Sequence, residues 1–364
     1  MKYDRIKNIL NKSLNFEFIS PEEGLLLFHK ASLIDLMYYA SVLRQKIHPD
    51  KIVSYIIDRN INLTNICFSK CLFCNFCRNK NDNDAYVLTI NEYKKKIDEL
   101  FRIGGSQILL QGGMNSDLTI NYYLNLFKTL KKLYPNLKLH ALGPPEIIFI
   151  ARKSKLTIAE TLKQLINAGM DSLPGAGAEI LSDRVRKLVS PAKCTTEEWR
   201  EVMRTAHILG LTTSATMMFG HIETPEEKIQ HLIKIRDLQS QKPDNSKGFI
   251  SFTLWPLASQ NTLILKKYPE INPVTNNEYL RMLALSRLML VNIPNIQVSW
   301  LTMGKEVAQL SLNAGANDMS SIMIEENVVS QAGKNFILNV ETIEEIITQA
   351  GFTPKKRNQE YEII

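Results

Sequence analysis

The sequence predicts an α/β fold: a parallel (β/α)8 TIM-type barrel with a helical extension before it and a helix and tail after it. Three observations predict this. Short apolar, β-rich runs recur eight times along the 364 residues. Amphipathic segments lie between them, several opened by the same Thr-x-x-Glu device. No Gly/Ser linker or low-complexity tract interrupts the series. Strands that alternate strictly with helices pair in parallel beneath a jacket of those helices, and eight repeats close into a barrel. The chain exceeds the ~250 residues of a simple barrel, which leaves room for additions. The expected division is 1–52 as the leading helical extension, 53–340 as the barrel, and 341–364 as a helix and tail packed on it.

Taken in order, the first fifty residues read as helical. Ser20-Pro-Glu-Glu23 is a capping box with proline at the first helical position, and a second helix is expected over 33–46. The first strand is read from the apolar, β-branched run of about 56–66. The other seven are expected at Gln107–Leu110, Leu137–Leu142, Met170–Leu173, Leu211–Phe219, Phe249–Leu257, Ile296–Leu301 and Ala316–Met323. The intervening helices open at Thr89/Glu92, Thr157/Glu160, Thr195/Glu198, Thr224/Glu227 and Thr275/Glu278. At the fourth of these, Pro225 sits at N1 and Ile229, Leu232, Ile233 and Leu238 form the buried stripe.

The first strand runs into Cys67, Cys71 and Cys74. Thiolates this close together hold a soft metal, as zinc or an iron–sulfur cluster. Zinc usually takes two separated ligand pairs, and the only cysteine downstream of Cys77 is Cys194. A [4Fe–4S] cube held by three cysteines keeps one iron free for a non-protein ligand, the open position of a catalytic site. Cys77 offers the other outcome. As a fourth ligand it would saturate the cluster and make the protein an electron carrier.

Composition narrows the class. Five cysteines, four of them within eleven positions, are no disulfide framework. The start of the chain lacks a signal-peptide core, and no apolar run approaches the ~20 residues of a membrane span, so a reducing cytoplasm and no membrane insertion are expected. The net charge of +7 is dispersed, and basic runs such as 94–96 and 355–357 lack interleaved aromatics, so no nucleic-acid partner is expected.

Barrel chemistry sits at the C-terminal ends of strands, which selects the remaining candidates. Gln111-Gly112-Gly113 can expose backbone to a ligand, and so can Gly175 and Gly177, with Glu179 available to ribose hydroxyls or to a following helix start. His221 and Glu223 form a histidine–carboxylate pair able to move a proton. His207 and His231 fall on helices as packing or surface residues. Trp255 and Trp300 could stack on a flat substrate or fill core, and Glu325 and Glu326 bring paired carboxylates near the last strand.

Cys-x3-Cys-x2-Cys with Phe73 before the last cysteine resembles the loop of radical S-adenosylmethionine (SAM) enzymes. That resemblance implies a [4Fe–4S] cluster on Cys67, Cys71 and Cys74, SAM chelated by the free iron, and a 5′-deoxyadenosyl radical. It also implies that Gln111, Gly112 and Gly113 meet the methionyl amine, although Met114 stands where the family usually has an acid. Gly175, Gly177 and Glu179 would complete the SAM site. Longer stretches, among them 58–67, 169–181, 215–224, 304–309, 325–329 and 351–361, resemble the cyclic dehypoxanthine futalosine synthases of menaquinone biosynthesis. Departures are Cys77, and Ala176 in place of a third glycine. Aminofutalosine synthases and the deazaflavin-cofactor enzymes share barrel and cluster. The implied reaction abstracts hydrogen from C4′ of the sugar of dehypoxanthine futalosine, joins that carbon to the tethered benzoate ring, and ends with loss of an electron and a ring proton. His221, Glu223, Glu325 and Glu326 are the candidate bases, and a low-potential flavodoxin or ferredoxin is the expected electron donor.

Overall fold

The computed structural model describes residues 2–325, 327, 330–333 and 338–364. Ten strands, counted among the described residues, form one sheet: β1 (Ile52–Ile56), β2 (Asp58–Asn62), β3 (Gln107–Gln111), β4 (Lys138–Ala141), β5 (Ser172–Leu173), β6 (Thr212–Phe219), β7 (Phe249–Pro256), β8 (Asn295–Gln297), β9 (Asp318–Ser321) and β10 (Thr353–Lys356). Every strand pairing is parallel. β2 to β9 follow one another in chain order, and β9 pairs β1, which is the first half of the run that β2 continues. A bridge from Arg59 to Ile324 completes the closure. The expected α/β barrel is therefore the architecture, with β10 laid outside it on β1.

All five Thr-x-x-Glu sites are reciprocal capping boxes. At the first, Glu92 N donates to Thr89 Oγ1 at 3.4 Å and Thr89 N to Glu92 Oε2 at 2.7 Å. Each box satisfies two of the donors that a helix start leaves unpaired. The stripe of Ile229, Leu232, Ile233 and Leu238 is buried as the spacing requires. Ser20 and Glu23 cap the helix Pro21–Lys30, and Leu33–Ile47 packs against Asn276–Met289 on the barrel's outer layer. His207 and His231 are core residues. His207 Nε2 meets Thr213 Oγ1 at 2.8 Å, and His231 is held by Leu181 N and Thr216 O.

Most strand boundaries shift by a residue or two, and two strand ends differ by more. The first strand ends at Asn62 rather than near Ile66, because residues 63–66 leave the sheet to carry the cysteine loop. The seventh ends at Gln297, and Trp300–Met303 is a helical turn begun where Tyr279 Oη accepts from Ser299 N. Val298, Trp300 and Leu301 are buried in this conformation as they would be in a strand, so apolarity did not discriminate.

Polar side chains stand among apolar ones in the barrel interior. Register places Asp58, Asn60 and Asn62 of β2 beside Gln107, Leu109 and Gln111 of β3, and Leu109 beside His140 of β4. Ser214, Thr216, Ser251, Thr253 and Gln297 line the far wall. These are the alternate, inward positions of each strand. Side chains this small and polar leave a cavity where many barrels are packed solid.

The C-terminal tail closes the opposite end. Arg357 makes two bonds to Asp318, of 2.5 and 2.9 Å, and its guanidinium lies 3.8 Å from the Tyr361 ring centroid. Gln359 Oε1 accepts from Gln107 Nε2 at 2.9 Å, Glu360 Oε2 from Thr212 Oγ1 at 2.9 Å, and Tyr361 Oη from Gln297 Nε2 at 2.9 Å. Gln107, Thr212 and Asp318 all stand at strand starts. The tail is thus a floor stitched across the N-terminal rim. Replacing Arg357 with Met strands Asp318 as a buried, unpaired charge and is expected to cost about 3–5 kcal/mol. Adding Asp318→Leu to the same chain is expected to recover most of it, read as urea midpoints of the anaerobic protein.

Candidate active site

The cavity holds about 410 Å³ and runs from the cysteine loop to Arg357 and Gln359 on the floor. Cys67, Cys71 and Cys74 line its open end together with Phe73, Gly112, Gly113, Glu179 and Lys193. Ser69 N and Met114 N donate to Cys67 Sγ at 3.4 and 3.3 Å, and Ser69 Oγ lies 3.0 Å from Cys71 Sγ. Such donors steady a thiolate ligand and tune the metal centre it holds. Burial, then the neighbouring Cys71, pushes the Cys74 thiol up to about 11, so metal binding must displace that proton.

Among the described residues, no three His, Cys, Asp or Glu side chains are placed to hold a single metal ion. Three cysteine thiols lining one cavity suit a cube, whose irons each take one thiolate at separate corners. The donor set therefore fits a [4Fe–4S] cluster. Cys77 also faces the cavity, and its Sγ donates to the Cys67 carbonyl at 3.0 Å.

The Gly-Gly segment ends β3 hard against the cysteine loop. A Cβ on Gly113 would sit 2.2 Å from Ile66 O, so no side chain fits. Gly113 N donates to Thr64 O at 2.8 Å, and Gly112 N to Glu146 Oε1 at 3.1 Å. The glycines are therefore required by the approach of two protein backbones, beyond any ligand they meet. Glu146 also accepts from Gly143 N at 2.6 Å. Burial pushes its carboxyl up to about 7, against the lowering effect of these two amides. The sequence carried a signal for it in Gly143-Pro-Pro-Glu146, a helix start directly after β4, which periodicity alone presents as a cap.

Gly175 N lies 3.3 Å from Ser214 Oγ, and Gly177 adopts φ +74° with Pro145 packed where a Cβ would project. Glu179 does not serve a helix start. Its side chain is 12% exposed and accepts from Lys193 Nζ at 2.7 Å, and Lys193 lies 5.3 Å from the Phe73 ring centroid. Burial would raise the Glu179 carboxyl, but Lys193 outweighs it and the net shift is downward. Lys193 carries no motif, and only the fold brings it to Glu179. Ala176 turns its carbonyl to Trp199 Nε1, and Trp255 lines the cavity while Trp300 is core, its Nε1 donating to Ser321 O at 2.9 Å.

Of the four expected base candidates, the three described ones are not among the residues that line this cavity. His221 and Glu223 line a separate cleft with Arg184, Lys228 and Tyr268. There Glu223 accepts from Gly220 N and His221 N, and His221 Nδ1, 3.1 Å from Glu223 Oε2, is out of line for a hydrogen bond. Glu325 is tied to Arg59 and Lys96 at the barrel's edge. Glu326 lies outside the described residues, as do Val328 and Val329 of the same segment.

With this geometry in view, the comparisons with known proteins are decisive. Residues 61–234 match the radical SAM superfamily, and residues 246–364 match the CofH/MqnC C-terminal region. A cyclic dehypoxanthine futalosine synthase from Halalkalibacterium halodurans is 41% identical over 99% of this chain and 95% of its own length. The chain belongs to the radical SAM superfamily and, within it, to the CofH/MqnC family. A synthase of the same name from Streptomyces coelicolor is 39% identical over 98% of this chain and 88% of its own. A 5-amino-6-(D-ribitylamino)uracil–L-tyrosine 4-hydroxyphenyl transferase from Archaeoglobus fulgidus is 37% identical over 89% and 92%. Among solved structures, methylornithine synthase superposes with TM-score 0.74 at 18% identity over 97% of this chain and 98% of that one, which supports the barrel itself. The radical SAM cofactors, a [4Fe–4S] cluster and SAM, follow from membership of the superfamily, with Cys67, Cys71 and Cys74 as its cysteine motif.

Two outcomes are expected from these placements. Cys77→Ala keeps the iron content and the reduced-cluster EPR signal, whereas Cys71→Ala loses both. In the SAM-free protein, a Glu146 carboxyl raised above its unfolded value makes the native state bind more protons than the unfolded chain between about pH 4.5 and 7. Stability should therefore fall as pH rises through that window, by up to about 3 kcal/mol, and Glu146→Gln should flatten the decline in urea titrations.

Proposed function

We propose that this enzyme converts dehypoxanthine futalosine to its cyclic form in menaquinone biosynthesis. The observation that carries this reading is the 41% identity to a synthase of that name, maintained over 99% of the chain. The cavity supports it. A substrate with a sugar and a benzoate needs hydroxyl and amide partners, and Asn60, Asn62, Gln107, Ser251, Thr253 and Gln297 supply them. Asn60 Oδ1 and Gln107 Oε1 are buried without a partner among the described residues, an expensive state that a ligand's hydroxyl would relieve.

When bound, the cluster and SAM supply a 5′-deoxyadenosyl radical. The chain's own work is to hold Gln111, Gly112, Gly113, Gly175, Gly177 and Glu179 around the cofactor end, to place the sugar carbon on the barrel axis, and to exclude water. The tail does the last of these by sealing the rim. A low-potential flavodoxin or ferredoxin as donor, and a reducing cytoplasm as compartment, complete the proposal. No helix of the described residues is long and apolar enough to cross a membrane.

The test is a reconstituted anaerobic assay with reductant, SAM and dehypoxanthine futalosine. Cyclised product should form in step with 5′-deoxyadenosine. Formation of a tyrosine–ribitylaminouracil adduct from the alternative substrates, with no cyclised product, would move the chain to the transferase branch of its family.

A further inference from the structure

Resting on that reading, we propose that His140 is the base that takes the ring proton in the last step of cyclisation. The step needs a proton acceptor inside the barrel, and the titratable side chains of the cavity are nearly all engaged. Asp58 accepts from Ser321 Oγ on one oxygen and from Gln107 Nε2 at 3.3 Å on the other. Both oxygens of Glu146 hold backbone amides, Glu179 holds Lys193, and Arg357 holds Asp318. His140 differs. Its Nδ1 lies 2.7 Å from Ser172 Oγ, which fixes the ring. No hydrogen bond to its Nε2 is made among the described residues, and the ring lines the cavity.

The strand register puts His140 level with Leu109 of β3 and Ser172 of β5, in the middle layer between cysteine loop and floor. Burial holds the imidazole far below its ordinary range, to about 3, so it enters the reaction neutral. When Nδ1–H donates to Ser172 Oγ, Nε2 presents its lone pair to the substrate. The chemistry balances as follows. After the sugar carbon has joined the ring, the ring carbon that received it is tetrahedral, and its C–H bond is the one that breaks. The proton goes to Nε2, the bonding pair enters the ring, and the unpaired electron leaves to a one-electron acceptor of the iron–sulfur class. Aromaticity is restored, and the imidazolium keeps its Nδ1–H bond to Ser172.

His140→Gln and His140→Asn test this. The asparagine amide reaches the place of Nδ1 and so can retain Ser172 while removing the base. Both variants should keep the cluster signal and release 5′-deoxyadenosine within a few-fold of wild type. Cyclised product should fall about 10²–10⁴-fold, the usual worth of a general base. A substrate-derived organic radical should accumulate in freeze-quenched EPR samples, which a merely structural histidine would not cause. Undiminished product from either variant overturns the assignment. So does loss of deoxyadenosine and product together without a radical signal, which would make His140 a binding residue. A wild-type chain that forms no cyclised product overturns the parent reading and this assignment with it.

Discussion

The close passage of Gly112-Gly113 beneath the cysteine loop is the constraint on which the active end depends. One short backbone run performs three tasks there. Gly112 N fixes Glu146, Gly113 N fixes Thr64 O, and Met114 N donates to Cys67 Sγ. A hydrogen bond from backbone cannot be removed by changing a side chain, so the first ligand of the cluster is oriented by the end of β3 itself. The same crowding that excludes a Cβ at Gly113 ties the loop to a rigid strand. A loop that carries metal ligands would otherwise be the most mobile part of the molecule.

Below that end, the barrel exchanges packing for chemistry. Apolar residues pack between strands and helices, while many inward positions carry amides, hydroxyls, a carboxylate and an imidazole. Such an interior is costly unless its polar groups are paired, and most are paired with one another or with the tail. The tail's bonds to Asp318, Gln107, Thr212 and Gln297 do two things at once. They satisfy polar groups at the foot of the barrel that would face a void, and they close the rim through which water would reach a radical. The Arg357 guanidinium stays charged there because its partner compensates for burial. Burial alone would pull the guanidinium down, but Asp318 outweighs it and the net shift is upward.

His221 and Glu223 show that a place at a strand end does not by itself set where a side chain is engaged. Both follow β6 directly, as catalytic residues of a barrel should. Yet Gly220, at φ +88°, turns the chain outward, and Glu223 is consumed by the amides of that turn. His140 is the opposite case. It stands mid-strand, where a histidine on an apolar run reads as packing, and its partner Ser172 is thirty-two residues away.

What the sequence determined by itself is what local chemistry dictates. The capping boxes, the alternation of strand and helix, and the three cysteines each depend on residues within a turn or two of one another, so their spacing is the whole signal. What only the tertiary structure decided is which side chains share the cavity. The Glu179–Lys193 pair, the Glu146 clasp on Gly112, the His140–Ser172 contact and the Arg357 floor all join residues from different strands or from the tail. Closure of the barrel sets those meetings through register, and register is a property of the closed sheet that no single segment encodes.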